Sequence, residues 1–320
     1  GKIDAFRTSA RASLGRSLRG VKPPDGMMES SSREQTGTFR IANTRPSFHL
    51  VPDKGWHPYL QRLDCDVNNN LDWEGSQPLP RPPSQDRTCW LIPTTDTMAV
   101  TLARHRIALR GLGWKLLSCD DTLVATLGDK VRLHALAVRA RLLAHMPVHY
   151  SSLESALFPC LLKGAHGCHG THVHLVRSKE EVRRLVGDKF DATQWLLCEL
   201  VAGVVEHSTT LLVNDGEILD VIRTTYEFDR EEYVWPYAKE KSRSSHDDVP
   251  AAHLRVMAAF LRGFSGICNF NYKVRQPDQT LAIFEINPRV GADLSMDVPR
   301  PRARQLFEKL DELRTGPRLR

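Results

Sequence analysis

The rhythm of apolar and polar positions changes near Cys89. Before it, through residues 1–87, the segments SSSREQTG, DVNNN and SQPLPRPPSQD show no sustained periodicity, and nine of the nineteen prolines fall there. That pattern predicts a largely disordered or loosely attached N-terminal arm. From Cys89 the run CWLIP reads as a short buried strand, and TTD reads as a turn and helix cap. Met98, Leu102, Ile107 and Leu109 then form the apolar side of one helix ending before Gly111 and Gly113. WKLLS reads as a second strand, a βαβ beginning. From Asp129, Leu133, Leu136, Ala137, Ala140, Leu143 and Ala144 recur at helical spacing as far as Pro147.

Further along, the period shortens. FPCLLK (158–163) and HVHLV read as strands joined by the glycine-rich GAHGCHGT, and Ser178 precedes Glu181 by three, the pattern of a helix capping box. HSTTLLV and EILDVIRTTYEF flank Asn214-Asp215-Gly216, a strong turn signal, and GICNFNYKV and TLAIFEIN flank a second turn around Asp278. Asp247, Asp248 and Pro250 open a helix between the hairpins that Gly263 closes. The segment 229–248, DREEYVWPYAKEKSRSSHDD, reads as a solvated loop able to line a substrate entrance. ADLSMDVPRPRARQLFEKLDELR reads as a single amphipathic helix. The order predicts an α+β protein rather than one doubly wound sheet.

With 320 residues, 41% hydrophobic and 26% charged, the chain has enough apolar material for two or three packed subdomains. No run of eighteen apolar residues occurs, so a soluble, membrane-free protein is expected. Seven cysteines without a CxxC pair suit a reducing compartment, and the expected location is cytoplasmic. The Arg/Ser-rich, nearly acid-free first twenty residues resemble an organelle transit segment, although a solvated basic tail is the simpler reading. The net charge of +6 is concentrated at the ends. Residues 1–87 hold 13 Lys+Arg against 10 Asp+Glu, residues 88–298 hold 24 against 25, and residues 299–320 hold 7 against 3. A nucleic-acid partner is therefore not expected.

Two chemistries compete for the stretch Lys163–His174, KGAHGCHGTHVH. His166, Cys168, His169, His172 and His174 could ligate a transition metal, yet their spacing matches no ordinary zinc pattern. Alternatively Gly164, Gly167 and Gly170 let the backbone approach an anion, with Lys163 directing a charge at the same place. The second hairpin bears on the choice. Strand alternation sets Asn269, Asn271 and Lys273 on one face, and Ile283, Glu285 and Asn287 on one face of the partner strand. A turn centred on Asp278 puts Asn271 opposite Glu285, with Arg289 just past the strand end. Oxygen donors in small number suit Mg²⁺, and a neighbouring arginine can hold a phosphoryl oxygen. An ordinary solvated sheet face would show the same alternation.

Four stretches in order, GDKVRLHALAVRARLLAHMPVHY, FPCLLKGAHGCHGTHVHLV, WLLCELVAGVVEH and FEINPRVG, resemble those of ATP-grasp proteins. The likeness is greatest to the carbamoyl-phosphate-synthetase-like and carboxylate–amine-ligase-like branch. It implies an ATP-grasp fold in which two α+β subdomains grip ATP, at 128–298, with lobes 128–202 and 203–298. A partial α/β segment at 88–127 would precede it, and a C-terminal helix and basic tail at 299–320 would follow. It also implies that Lys130 and Lys163 reach the phosphates under a flap containing Gly164, Gly167 and Gly170. Adenine would lie along Glu199, Leu200 and Val201, and Glu206 would accept from the ribose. Asn271, Glu285 and Asn287 would hold two Mg²⁺ (or Mn²⁺) ions, and Arg289 and Lys163 would steady the transferred phosphoryl group. Asn271 departs from the carboxylate that many relatives carry.

The reaction so implied activates a carboxylate as an acyl phosphate and joins it to an amine, both small molecules. The alternatives are a noncatalytic ATP-binding module of the same fold and a His/Cys transition-metal binder. Arg223, on the second strand of the first hairpin, is a candidate for a substrate carboxylate that this reading does not adopt.

Overall fold

The computed structural model describes residues 46–51, 66–67, 71, 73–164, 173–187, 190–191, 194–234, 237–276 and 278–313. The first sheet is parallel, β1 (Ser47–Val51), β2 (Asp66–Val67) and β3 (Cys89–Pro93), in the order β2-β1-β3. Its central strand falls inside the segment expected to be a loose arm, and all five of its residues are buried. Phe48 and Leu50 point to one core and Val51 to another that holds Trp73, Leu91 and Trp114. A strand buried on both faces needs no alternation, so its five residues between prolines carried no periodic signal. The arm expectation fails for this strand and for Trp73.

Helices α1 (Asp96–Arg104) and α2 (Arg106–Gly111) replace the one helix expected there, since the chain breaks at His105. The break changes the phase, leaving Leu109 buried and Ile107 exposed. WKLLS does not form a strand and contributes a single parallel bridge, Lys115 to Trp90. Helix α3 (Asp121–Gly128), capped by Asp120, was not anticipated. The expected helix after Asp129 forms as α4 (Lys130–Arg139), where the Asp129 carboxylate accepts from the free N–H groups of Val131 and Arg132.

A four-stranded antiparallel sheet follows, β4 (His149–Tyr150), β5 (Cys160–Gly164), β6 (Val173–Val176) and β7 (Trp195–Glu199), in the order β4-β7-β5-β6. Helix α5 (Lys179–Val186) starts at the predicted box. Ser178 accepts from the Glu181 N–H, and the Glu181 carboxylate accepts from the N–H of Arg177. Gly167, Gly170 and the His/Cys group other than His174 lie outside the described residues.

The large sheet is antiparallel. It comprises β8 (Val205–Asn214), β9 (Glu217–Phe228), β10 (Glu240–His246), β11 (Gly266–Val274) and β12 (Leu281–Asn287), ordered β10-β9-β8-β11-β12. Asp215 and Gly216 take φ of 49° and 80°, as a tight hairpin turn demands. Helix α6 (Ala251–Phe260) links β10 to β11. Strand β10 runs through the stretch read as a solvated loop, and its sequence EKSRSSH has no apolar alternation because it is an exposed edge. In place of the single C-terminal helix, Val298-Pro299 separates α7 (Ala292–Met296) from α8 (Arg300–Glu312). One face of the large sheet packs on α3, α4 and α6 through Phe270, Tyr272 and Met257, and the other packs on β1, β3 and α8 through Leu212, Phe48 and Phe307. Among the described residues, no helix is long and apolar enough to cross a membrane.

Candidate active site

Strands β11 and β12 carry the polar patch. Asn271 stands opposite Glu285, and Asn269 opposite Asn287, as the turn at Asp278 predicts. The ladder then slips by one residue, so Tyr272 faces Ile283 and Phe284 is the extra residue of a bulge. The slip corrects the expected face of Ile283, which joins the core with Phe270 and Tyr272 instead of lying beside Glu285. Within the patch, one oxygen of Glu285 accepts from Asn271 at 2.8 Å and from Asn287 at 3.2 Å. Burial pushes this carboxyl up, but the Asn271 bond, the Lys130 charge, the Asn287 bond and the Arg289 charge prevail, so its pKa lies below the usual value. It is ionised at neutral pH.

The expected lysines meet this patch from the other lobe. Lys130 opens α4, and its charge acts on Glu285. Lys163 sits at the end of β5 beside Gly164, and its Nζ lies 6.0 Å from the Phe284 ring centre. Lys130, Lys163, Phe284, His149, Leu196 and Cys198 line one cleft between the small and large sheets. His149 was not singled out in the sequence. It stacks on His134 with ring centres 4.3 Å apart, and burial, with the charges of His134 and Lys163, lowers its pKa to about 4. A neutral imidazole therefore shares the lining of the cleft with Lys130 and Lys163.

The segment Glu199–Val201, where the resemblance expects adenine, is held by Lys273 of β11 and by Arg275 just past its end. Lys273 donates to the carbonyls of Val201 (3.1 Å) and Gly203 (2.8 Å), and its Nζ lies 4.0 Å from the ring centre of Tyr233. Arg275 grips both oxygens of Glu199 at 3.0 and 2.7 Å and also donates to the carbonyls of Ala144 and Met146. The Glu199 carboxylate is thereby committed to structure, and the Val148 N–H donates to it as well. The main chain here is partly engaged too: the Glu199 N–H donates to the Val148 carbonyl, and the Val201 carbonyl accepts from Lys273. Glu206 accepts from the Tyr233 hydroxyl at 2.9 Å, and burial raises its pKa despite that bond and the charge of Lys273. Alternation placed Lys273 on the face of Asn271, but nothing local signalled its partners some seventy residues away.

Arg289 is built into the same corner. It donates to Asn287 Oδ1 and the Val290 carbonyl, each at 3.0 Å, and pairs with Asp96 of α1 at 3.4 Å. Beside it, Asn269 donates to Ser208, Thr210 and Asp293, all buried. Gly291 makes that cluster possible, since a Cβ there would stand 2.2 Å from Asp293 Oδ1 and 2.6 Å from Asn269 Nδ2.

The donor set fits a hard cation. Glu285 is an ionised carboxylate, and Asn271 and Asn287 turn their amide N–H groups toward it; each would ligate Mg²⁺ through its amide oxygen, of which that of Asn287 accepts from Arg289, with phosphate and water completing the shell. The His/Cys alternative rests on residues that lie, but for His174, outside the described ones. His174 is 6.4 Å from Trp195 between ring centres. Arg223 lies apart from the cleft. It alternates with Thr224 along β9 and faces α6, so it is on the wrong side of the sheet to hold a substrate beside Glu285.

No family model matches the chain, and no curated protein matches it by sequence. Solved structures do. An L-amino acid ligase from Bacillus licheniformis matches with a TM-score of 0.52 at 13% identity, over 83% of this chain and 73% of that one. A D-alanine–D-alanine ligase from Bacillus anthracis, determined with ATP, matches with a TM-score of 0.51 at 15% identity, over 84% and 96%. At such identities the likeness speaks for architecture: a mixed protein with two antiparallel sheets, a parallel segment ahead of them and a cleft between the lobes. The chain has the ATP-grasp fold, as carboxylate–amine ligases have it.

Proposed function

We propose that the chain is an ATP-dependent ligase that activates a small-molecule carboxylate and joins it to an amine. One observation carries this reading: Lys130 and Lys163 from one lobe and Phe284 from the other border a single cleft, and the charge of Lys130 acts on Glu285, the residue next to Phe284. Adenine would rest on the main chain near Glu199, Leu200 and Val201, with Phe284 against it and Glu206 toward the ribose. Glu285, Asn271 and Asn287 would hold Mg²⁺, which supplies charge neutralisation to the phosphates.

In the first step a carboxylate oxygen of the substrate attacks the γ-phosphorus, and the bond to the ADP oxygen breaks. Lys130, Lys163 and Arg289 neutralise the charge that shifts onto the transferred group and onto ADP. In the second step an amine attacks the acyl carbon, phosphate leaves, and the amine proton passes to solvent. No protein nucleophile is required; the side chains position and neutralise.

The test is phosphate release from ATP with Mg²⁺, screened across carboxylates with hydroxylamine present as a general amine that captures acyl phosphates as hydroxamates. Hydroxamate formed in step with phosphate is expected. ATP bound without turnover on any carboxylate would instead favour the noncatalytic module, to which the amide at position 271 lends weight, because it leaves the metal patch a single carboxylate.

A further inference from the structure

The large sheet has a second polar cluster on its other face, remote in orientation from the nucleotide cleft. Along β8, β9 and β11, residues facing α6 alternate with those facing the cleft, and among them are His207, Thr209, Arg223, Thr225 and Tyr272. His246 of β10 pairs with Arg223 in register, and His253 of α6 closes the cluster from above, its ring edge-on to Tyr272 at 5.8 Å.

Arg223 is a buried cation short of a counter-charge. Its side chain is 15% exposed, and the one carboxylate beside it is Asp248, at 3.8 Å and 87% exposed. Arg223 Nε and His253 Nδ1 are both buried without a hydrogen-bond partner, and His253 is 9% exposed overall. His207 Nδ1 is bonded to Thr225 Oγ1 at 3.0 Å, which leaves its second ring nitrogen for another partner. Burying a guanidinium is costly unless an anion accompanies it, and buried ring nitrogens call for partners of their own.

We propose that Arg223, His207 and His253 form a second ligand site, on the α6 face of the large sheet, that takes a small oxyanion, either a carboxylate or a phosphate. His246 and Asp248, both exposed, stand beside Arg223 where the cluster meets solvent. Arg223 supplies the charge and a two-pronged donor, and the imidazoles supply N–H groups. Burial first, and the Arg223 charge next, lower both histidine pKa values, that of His207 to about 4, so both rings are neutral at neutral pH, and an anion beside Arg223 would offset its charge and raise both values. The groups facing this space are His207, Arg223, His246, Asp248, His253 and Tyr272, and Asp248 is the one acid among them.

The site is tested on the full chain by following the histidine ring protons by NMR while inorganic phosphate, and separately acetate, is added at neutral pH. His207→Gln and His253→Gln assign the signals. Saturable shifts of both rings are expected with at least one of the anions, with a raised titration midpoint for His207, and the anion that saturates lower names the natural class. Arg223→Gln should weaken binding roughly tenfold or more, the loss expected for a charged hydrogen bond. If that variant does not fold, Arg223→Lys, which keeps the charge without the fork, should weaken it less but measurably. Lys163→Met should leave the shifts unchanged, which separates this site from the nucleotide cleft. Unmoved rings at tens of millimolar of both anions, or equal shifts in the Arg223 variants, would overturn the proposal.

Discussion

Glu285 is bonded to two amides and acted on by the charges of Lys130 and Arg289, and that sets what its removal does. Glu285→Gln keeps the shape but deletes the one carboxylate between Asn271 and Asn287. Phosphate release should fall by about a hundredfold or more while the thermal midpoint hardly moves, which turnover and melting measured together will show. Gly291 answers to packing instead. Gly291→Ala places a methyl against Asp293 and Asn269, and the clash should cost about 1–3 kcal/mol by denaturant titration. Asp293 itself gives a pH signature. Burial, ahead of its compensating bonds, raises its pKa from 3.8 to about 6. The folded state thus binds the proton more tightly, so this group's contribution is present below about 3.8 and is lost as the pH rises through about 6. The stability of Asp293→Asn relative to the native chain should therefore rise between about pH 4 and 6 and level off above, and a flat difference across that range would contradict the assignment.

Between elements, Lys273 and Arg275 join the segment at the end of β7, proposed to carry adenine, to the β11–β12 hairpin proposed to hold the metal. Replacing Lys273 with Met frees the Val201 and Gly203 carbonyls, so KM for ATP should rise severalfold with kcat little changed, and Lys273→Arg should recover part of the loss. Burial lowers the Lys273 pKa to about 8, so the native KM should climb as the pH passes that value, whereas in Lys273→Met it should not. These links were not legible in the sequence, because alternation assigns a face and never a distant partner. What could be read was local: the Asp-Gly turn of β8 and β9, the Ser178–Glu181 cap and the pairing of Asn271 with Glu285 follow from short-range rules. The bulge at Phe284 escaped them, since one inserted residue reverses the alternation that the rule extrapolates.

For the molecule as a whole, the N-terminal strand and the last helix close the core on one side of the large sheet. Phe48 and Phe307 pack with tilted rings, centres 5.1 Å apart, although they are separated by almost the whole described chain. Phe307→Ala should cost about 3–5 kcal/mol, read from the denaturant midpoint. That contact explains why β1 went unseen: SFHLV is too short for a periodic signal, and its burial depends on a helix at the far end of the sequence. The ATP-grasp architecture could be recognised from four motifs because each is short and local, while the way the lobes are fastened together is not. The central claim is that both lobes contribute to one magnesium–nucleotide site. Calorimetric titration of ATP with and without Mg²⁺ measures this most directly, in the native chain, Lys163→Met and Glu285→Gln. Binding that requires Mg²⁺ and weakens at least about tenfold in each variant is predicted; ATP binding indifferent to Mg²⁺ and to both substitutions would contradict it.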